Sequence, residues 1–224
     1  QFTSPERRRE HITYYSPESG ISLAIGSLRR SPLKVGVLGL GAGALAAFAE
    51  HRGDHFRFYE INPLVEKLAR TEFTYLSDAR GKVEIVLGDG RLSLEREPDQ
   101  HYDLLVADAF SGDAVPAHLL TKQAVELYFR HLKPAGILAL NITNTHLDLA
   151  PVVEKLGKAL GKHAVIIENS TDNDREVFHS RWALVSSRPL TDPAILEVAE
   201  EPTARPGLRV WTDDYNNLFQ VLKY

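Results

Sequence analysis

From Lys34 onward, short runs of apolar residues alternate with segments whose apolar positions recur at helical spacing. Strands are expected at 34–39, 55–60, 83–87, 102–108, 137–141, 163–168 and 181–187. Helices are expected near 43–52, from Asn62-Pro63, near 118–132 and near 149–161. Asn62 as N-cap with Pro63 at the first helical position is a start signal, because proline lacks only an N–H that the first turn leaves unpaired anyway. Lys133-Pro134-Ala135-Gly136 reads as the stop of the third helix. Continuously apolar strands separated by helices describe a parallel sheet covered on both faces. The last two strands, with no convincing helix between them, read as a hairpin closing the series.

Residues 1–31 have a different texture. Glu6-Arg7-Arg8-Arg9-Glu10 is a charge run, read as a solvated surface, and Ile12-Thr13-Tyr14-Tyr15 and Ile21-Ser22-Leu23-Ala24-Ile25 flank the turn residues Ser16-Pro17-Glu18-Ser19-Gly20. That pattern predicts a β-hairpin over 1–31 laid against a main domain over 32–224. The whole is an α/β, Rossmann-like, doubly wound sheet of seven mostly parallel strands, of the class I methyltransferase type.

Composition narrows the function more than the fold. A net charge of -4 gives no reason to expect a nucleic-acid partner. With no cysteine, the chain has no disulfide, thiolate metal site or cysteine nucleophile. No apolar run reaches the roughly 18 residues of a membrane span, and no signal peptide is read, so the expected location is cytoplasmic. The absence of any methionine, even at position 1, suggests a trimmed chain or a piece of a longer one.

The candidate chemistry lies at strand ends, since open sheets of this kind bind ligands beyond the carboxyl ends of their strands. Strand one runs into Gly39, Gly41 and Gly43, which let the backbone turn tightly beside a ligand. Strand two ends in Glu60, 17 residues after Gly43 and placed to bond ribose hydroxyls. Strand three ends in Gly88-Asp89-Gly90, strand four in Asp108 and strand five in Asn141. Singly, each acid is as readily a cap or turn residue; in order on successive strands they read as an adenosine-type site. His51 and His55 have helical ligand spacing, but Gly53 intervenes and no metal is expected. Ser111 has no nucleophile-elbow setting. Asn141-Ile142-Thr143 and Asn169-Ser170-Thr171 match the glycosylation triplet by chance.

Tyr102-Asp103-Leu104-Leu105-Val106-Ala107-Asp108, the loop onward to Pro116 and His118-Leu119-Leu120-Thr121 resemble the corresponding segment of the spermidine synthase family. The likeness runs from Thr13-Tyr14-Tyr15 to Trp211-Thr212-Asp213-Asp214-Tyr215. It is closest to the spermidine-synthase-like domains found alone or fused to bacterial transporter-like membrane modules. The resemblance implies transfer of an aminopropyl group from decarboxylated S-adenosylmethionine to a small-molecule amine such as putrescine, with release of methylthioadenosine and no metal. It implies that Gly39, Gly41, Gly43, Glu60, Asp89 and Gly90 bind the co-substrate, with Glu60 on the ribose and Asp89 on the adenine. Asp108 would orient and deprotonate the amine, and Tyr15, Asp113, Asn141 and Asp213 would line the amine site. A homodimer and an attached membrane module are the partners it suggests. The chain departs from the family pattern at Ala42, where the synthases carry an Asp beside the aminopropyl amine, and at Ile21-Ser22, in place of a Tyr-Gln pair. The loss of that Asp keeps ordinary S-adenosylmethionine, and with it a small-molecule methyltransferase, as an alternative. A non-catalytic nucleoside- or polyamine-binding domain is a further alternative. A nicotinamide-dependent dehydrogenase shares the glycines and the acid but fits Gly88-Asp89-Gly90 and the terminal strand pair poorly. Asp172, Asp174 and Glu176 read as a solvated loop, with a lid over the amine pocket as the other reading.

Overall fold

The apolar strands assemble into one seven-stranded sheet in the computed structural model, which describes residues 1–4, 7–30, 32–110 and 115–223. Its strands are β1 (Lys34–Leu38), β2 (His55–Glu60), β3 (Lys82–Leu87), β4 (Tyr102–Ala107), β5 (Leu132–Asn141), β6 (His163–Asn169) and β7 (Ser180–Ser186). Their spatial order is β3-β2-β1-β4-β5-β7-β6. All neighbours pair parallel except β7, which runs antiparallel to both β5 and β6. The reversal of order at β1 and β4 opens a crevice at the carboxyl edge, where a doubly wound sheet holds its ligand.

The two-residue period of each strand sorts side chains between two cores. Val35, Val37, Phe56, Phe58, Leu104 and Val106 point to one face and pack with Ile21, Phe48, Trp182 and Ile195. Leu38, Tyr59, Leu105 and Ala107 point to the other, against Leu94, Leu127, Tyr128 and Leu156. The helices that cover these faces are α1 (Gly20–Leu28), α2 (Pro63–Thr71), α3 (Tyr75–Asp78), α4 (Gly90–Arg96), α5 (Lys122–His131), α6 (Ala150–Leu160) and α7 (Pro193–Val198). Among the described residues no helix is long and apolar enough to cross a membrane.

The N-terminal hairpin is corrected by this structure. Residues 20–28 form α1, with Ser19 as N-cap accepting from the Ser22 N–H. The spacing of Ile21, Ala24 and Ile25 places all three on one buried helical face, which outweighs the β-propensity of the isoleucines. Residues 12–15 form no strand either; Thr13 makes a single bridge to Val177. The helix expected near 43–52 is a short 3-10 turn over Ala44–Phe48, and the Phe48 carbonyl is taken by the Arg29 guanidinium at 2.7 Å. The third helix, α5, ends at His131, just ahead of the stop read at Lys133-Pro134-Ala135-Gly136. β5 begins at Leu132 and carries the proline through an irregular stretch, where its register against β4 jumps from Leu132 to Ile137.

Candidate active site at the carboxyl edge of the sheet

A cavity of about 1020 Å³ opens over the carboxyl ends of β1, β2, β4 and β5. Its floor is the glycine turn. Gly39 sits at φ 100°, and a Cβ there would lie 2.5 Å from the Asp108 carbonyl oxygen. Only glycine lets the turns after β1 and β4 come this close. Gly41, at φ 53°, has open space where its Cβ would be, and that space is cavity. Gly43 also has positive φ, but it packs against Leu76 and does not line the cavity. Ala42 does not line it either.

Glu60 ends β2 with 8% of its surface exposed. Its Oε2 accepts from the Leu40 N–H at 3.0 Å and its Oε1 from the Asn62 N–H at 2.8 Å. The carboxylate thereby pins the glycine turn to the head of α2. Each oxygen can accept a further hydrogen bond, and Glu60 lines the cavity. Asp89 is the N-cap of α4, with Oδ1 accepting from the Leu92 N–H at 2.9 Å, and its Oδ2 lies 3.9 Å from His118 Nε2. Asp89, Gly90 and His118 all face the cavity. The α4 cap uses one oxygen of Asp89 and leaves the other able to accept from a further donor. These residues fit a nucleoside: a turn cleared of side chains, a ribose-height carboxylate and a polar end beyond it.

Asp108 stands at the end of β4 across the turn from Glu60. The Tyr15 hydroxyl donates to its Oδ2 at 2.7 Å, and Asn141 Nδ2 donates to its Oδ1 at 2.8 Å. Asn141 is held in turn by the Thr143 N–H, which donates to its Oδ1 at 3.1 Å and so fixes the amide's orientation. Burial pushes the Asp108 carboxyl up to about 6, and the two donors draw it part of the way back. Burial together with the Asp108 charge raises the Tyr15 phenol well above its usual value, so Tyr15 remains a hydrogen-bond donor. A desolvated carboxylate with both oxygens steered by fixed donors is positioned to receive a proton or a cation.

The other sequence-derived candidates are placed differently. Asp213 lies outside the cavity lining: the Arg91 guanidinium grips both its oxygens, at 2.8 and 2.5 Å, and Thr121 donates to it at 2.7 Å. Arg91 holds the Asp213 carboxyl below its usual range and ties the C-terminal segment to α4. Asp113 and Ser111 fall outside the described residues. Asp172 caps its own turn, with Oδ1 accepting from the Asp174 and Arg175 N–H groups, and none of Asp172, Asp174 and Glu176 lines the cavity. His51 lies in the loop before β2, and His55, on β2, pairs with Glu84 at 3.1 Å. Sequence reasoning missed Tyr14, Thr143, Asn144, His179 and Lys223, all of which line the cavity. Tyr14 adjoins Tyr15, and Thr143 and Asn144 follow Asn141. His179 and Lys223 come from distant segments with no local signal.

No protein-family model matches the chain. Its sequence is 28% identical over 149 residues to a polyamine aminopropyltransferase of Vibrio vulnificus, covering 65% of this chain and 48% of that enzyme. The chain thus spans about half the length of that relative. A shorter match, 31% identical over 110 residues, is to an N-terminal histidine N-methyltransferase of Emericella nidulans, of which it covers 19%. A probable spermidine synthase from Corynebacterium glutamicum shares the fold with a TM-score of 0.63 at 20% identity, over 79% of this chain and 66% of that one. Human methyltransferase-like protein 13, solved with SAH, gives 0.57 at 20% identity over 79% and 86%. A spermidine synthase in complex with the transition-state analogue AdoDATO gives 0.55 at 17% identity over 85% and 67%. The chain thus resembles a polyamine aminopropyltransferase in sequence, and it shares its fold with solved spermidine synthases and with a methyltransferase-like protein.

Proposed function

We propose that the protein is a transferase that moves an aminopropyl group from decarboxylated S-adenosylmethionine to an amine, with Asp108 as the group that orients the amine and takes its proton. The observation that carries this reading is the position of Asp108. It shares one cavity with Gly39, Gly41 and Glu60, and its two oxygens are aimed by Tyr15 and Asn141. The co-substrate, when bound, supplies an alkyl carbon on sulfonium, so the amine lone pair forms the C–N bond as the C–S pair returns to sulfur and one proton is shed.

Asp108 contributes in two ways. It offers an anion against which an ammonium is held and turned, and orientation of this kind is the larger part of many rate gains. It also accepts the proton. An alkylammonium with a pKa near 10.4 gives its proton to a carboxylate of ordinary pKa at a cost of roughly 9 kcal/mol. With the Asp108 carboxyl at about 6 the cost falls to roughly 6 kcal/mol. Burial of the ammonium in the same cavity lowers it further. Glu60 and the glycine turn hold the nucleoside end and leave the far end of the cavity to the amine.

The test is methylthioadenosine release from decarboxylated S-adenosylmethionine in the presence of amines, with Asp108→Asn as the inactive control. Release that persists in that variant removes Asp108 from the chemistry. The neutral Ala42, in the turn where the synthases carry an Asp, supports a second reading with ordinary S-adenosylmethionine as methyl donor. Formation of S-adenosylhomocysteine in place of methylthioadenosine would establish that one. Tight nucleoside binding with neither product would mark a binding domain.

A further inference from the structure

Among the described residues, the half of the cavity beyond Asp108 offers a lysine and no further acid. Among the described residues, the carboxylates lining the cavity are Glu60, Asp89 and Asp108. Glu60 and Asp89 stand at the ends of β2 and β3, where Glu60 is committed to two backbone N–H groups and Asp89 to the α4 cap. Beyond Asp108, over β5 and β7, the described lining consists of amide and hydroxyl side chains with His179 and Lys223, and contains no acid. His179 is already paired with Glu168 at 2.7 Å. Among the described residues, Lys223 is the only lysine or arginine that lines the cavity.

Lys223 is held in place by its neighbours. Its N–H donates to the His146 carbonyl at 2.8 Å, and Leu222 bridges antiparallel to Leu147. Its ammonium donates to the Asn144 carbonyl at 2.7 Å, which uses one of three N–H donors. Asn144 lies three residues after Asn141, the donor to Asp108, so at most roughly 11 Å of chain separates the two anchor points. Asp108 and Lys223 therefore present an anion and a cation to the same cavity.

We propose that the acceptor is an amine carrying an anionic group at its far end, of the 4-aminobutyrate class, with Lys223 as the residue that selects it over a diamine. The inference rests on the reading that Asp108 receives the amine. Putrescine and 4-aminobutyrate have the same four-carbon length and differ in the charge of the far end. The far ammonium of putrescine would meet Lys223 with no described carboxylate to offset it, whereas a far carboxylate would pair with Lys223.

Two measurements separate this inference from the transfer reaction itself. The first is calorimetric titration of 4-aminobutyrate and of putrescine into protein saturated with methylthioadenosine. The expected result is at least tenfold tighter binding of 4-aminobutyrate, a ratio lost in Lys223→Ala and inverted in Lys223→Glu, while methylthioadenosine affinity stays within twofold. Putrescine binding equally well or better, neither amine binding, or an unchanged ratio in Lys223→Glu would overturn the inference. The second is methylthioadenosine release with each amine and decarboxylated S-adenosylmethionine. Selective binding of 4-aminobutyrate without release leaves the charge preference standing and sinks aminopropyl transfer. Faster release with putrescine leaves transfer standing and sinks the inference.

Discussion

Replacing Asp108 with Asn tests the electrostatics of the site without any knowledge of its substrate. In the folded protein burial raises the Asp108 carboxyl from 3.8 to about 6. A folded-state value above the unfolded one means that the fold binds this proton more tightly than the unfolded chain does. The wild type is therefore favoured by this group below about pH 4, loses stability as pH rises toward 6, and stays at the lower level above it. A rise from 3.8 to about 6 corresponds to roughly 3 kcal/mol at full strength, and the opening of the carboxyl onto the cavity reduces this to between about 1 and 3 kcal/mol. The amide that replaces the carboxyl in Asp108→Asn does not titrate. Its oxygen can accept from Asn141 and its nitrogen can donate to the Tyr15 hydroxyl, so any hydrogen-bond difference adds an offset of about 1 kcal/mol that does not vary with pH. Urea unfolding of both proteins at pH 4, 5, 6 and 7 isolates the term, because every other titrating group cancels in the difference. The wild type is expected to lose about 1–3 kcal/mol relative to the variant between pH 4 and 7, or about 2–4 °C of melting temperature for each kcal/mol in a chain of this size. A difference constant across that range, or one of opposite slope, would refute the burial of Asp108 described above.

Glu60→Ala is expected to weaken methylthioadenosine binding at least tenfold in calorimetry and to cost about 2 kcal/mol of stability, since the Leu40 and Asn62 N–H groups lose their acceptor; unchanged affinity would contradict the ribose role. Gly39→Ala places a Cβ 2.5 Å from the Asp108 carbonyl oxygen at φ 100° and is expected to cost at least about 2 kcal/mol in denaturant unfolding; a loss below about 0.5 kcal/mol would show that the two turns are farther apart. Tyr15→Phe removes a donor that draws the Asp108 carboxyl down, so the acid limb of the pH–rate profile should move upward from about 6 while methylthioadenosine affinity holds. A limb that stays in place or moves down would separate Tyr15 from Asp108.

Much of the sheet was legible because parallel strands buried on both faces carry unbroken apolar runs, as Val35–Leu38 and Leu104–Ala107 do. The strand-end residues follow from the same logic. Once β1, β2 and β4 are adjacent, Gly39, Glu60 and Asp108 necessarily share the carboxyl edge. The N-terminal segment misled because Ile21 and Ile25 favour strands locally, while the burial that decides the matter comes from partners such as Trp182, more than 150 residues away. Asp213 misled for a similar reason. An acid beside a polar cluster looks the same in sequence whether it faces a cavity or Arg91, and only the fold brings α4 to the C-terminal segment. The unpredicted α4 and α7 are short and capped by Asp89 and Asp192, residues equally at home in turns. Lys223 reaches the cavity through backbone pairing with the loop after β5, a contact between segments about 75 residues apart that no local pattern encodes.

A crystal structure of the protein with methylthioadenosine tests the central claim most directly. The nucleoside should lie along the glycine turn, its ribose hydroxyls on Glu60, its base beside Asp89 and its thioether end toward Asp108. A molecule bound elsewhere, or one seated there with Glu60 and Asp108 both turned away, would contradict the account.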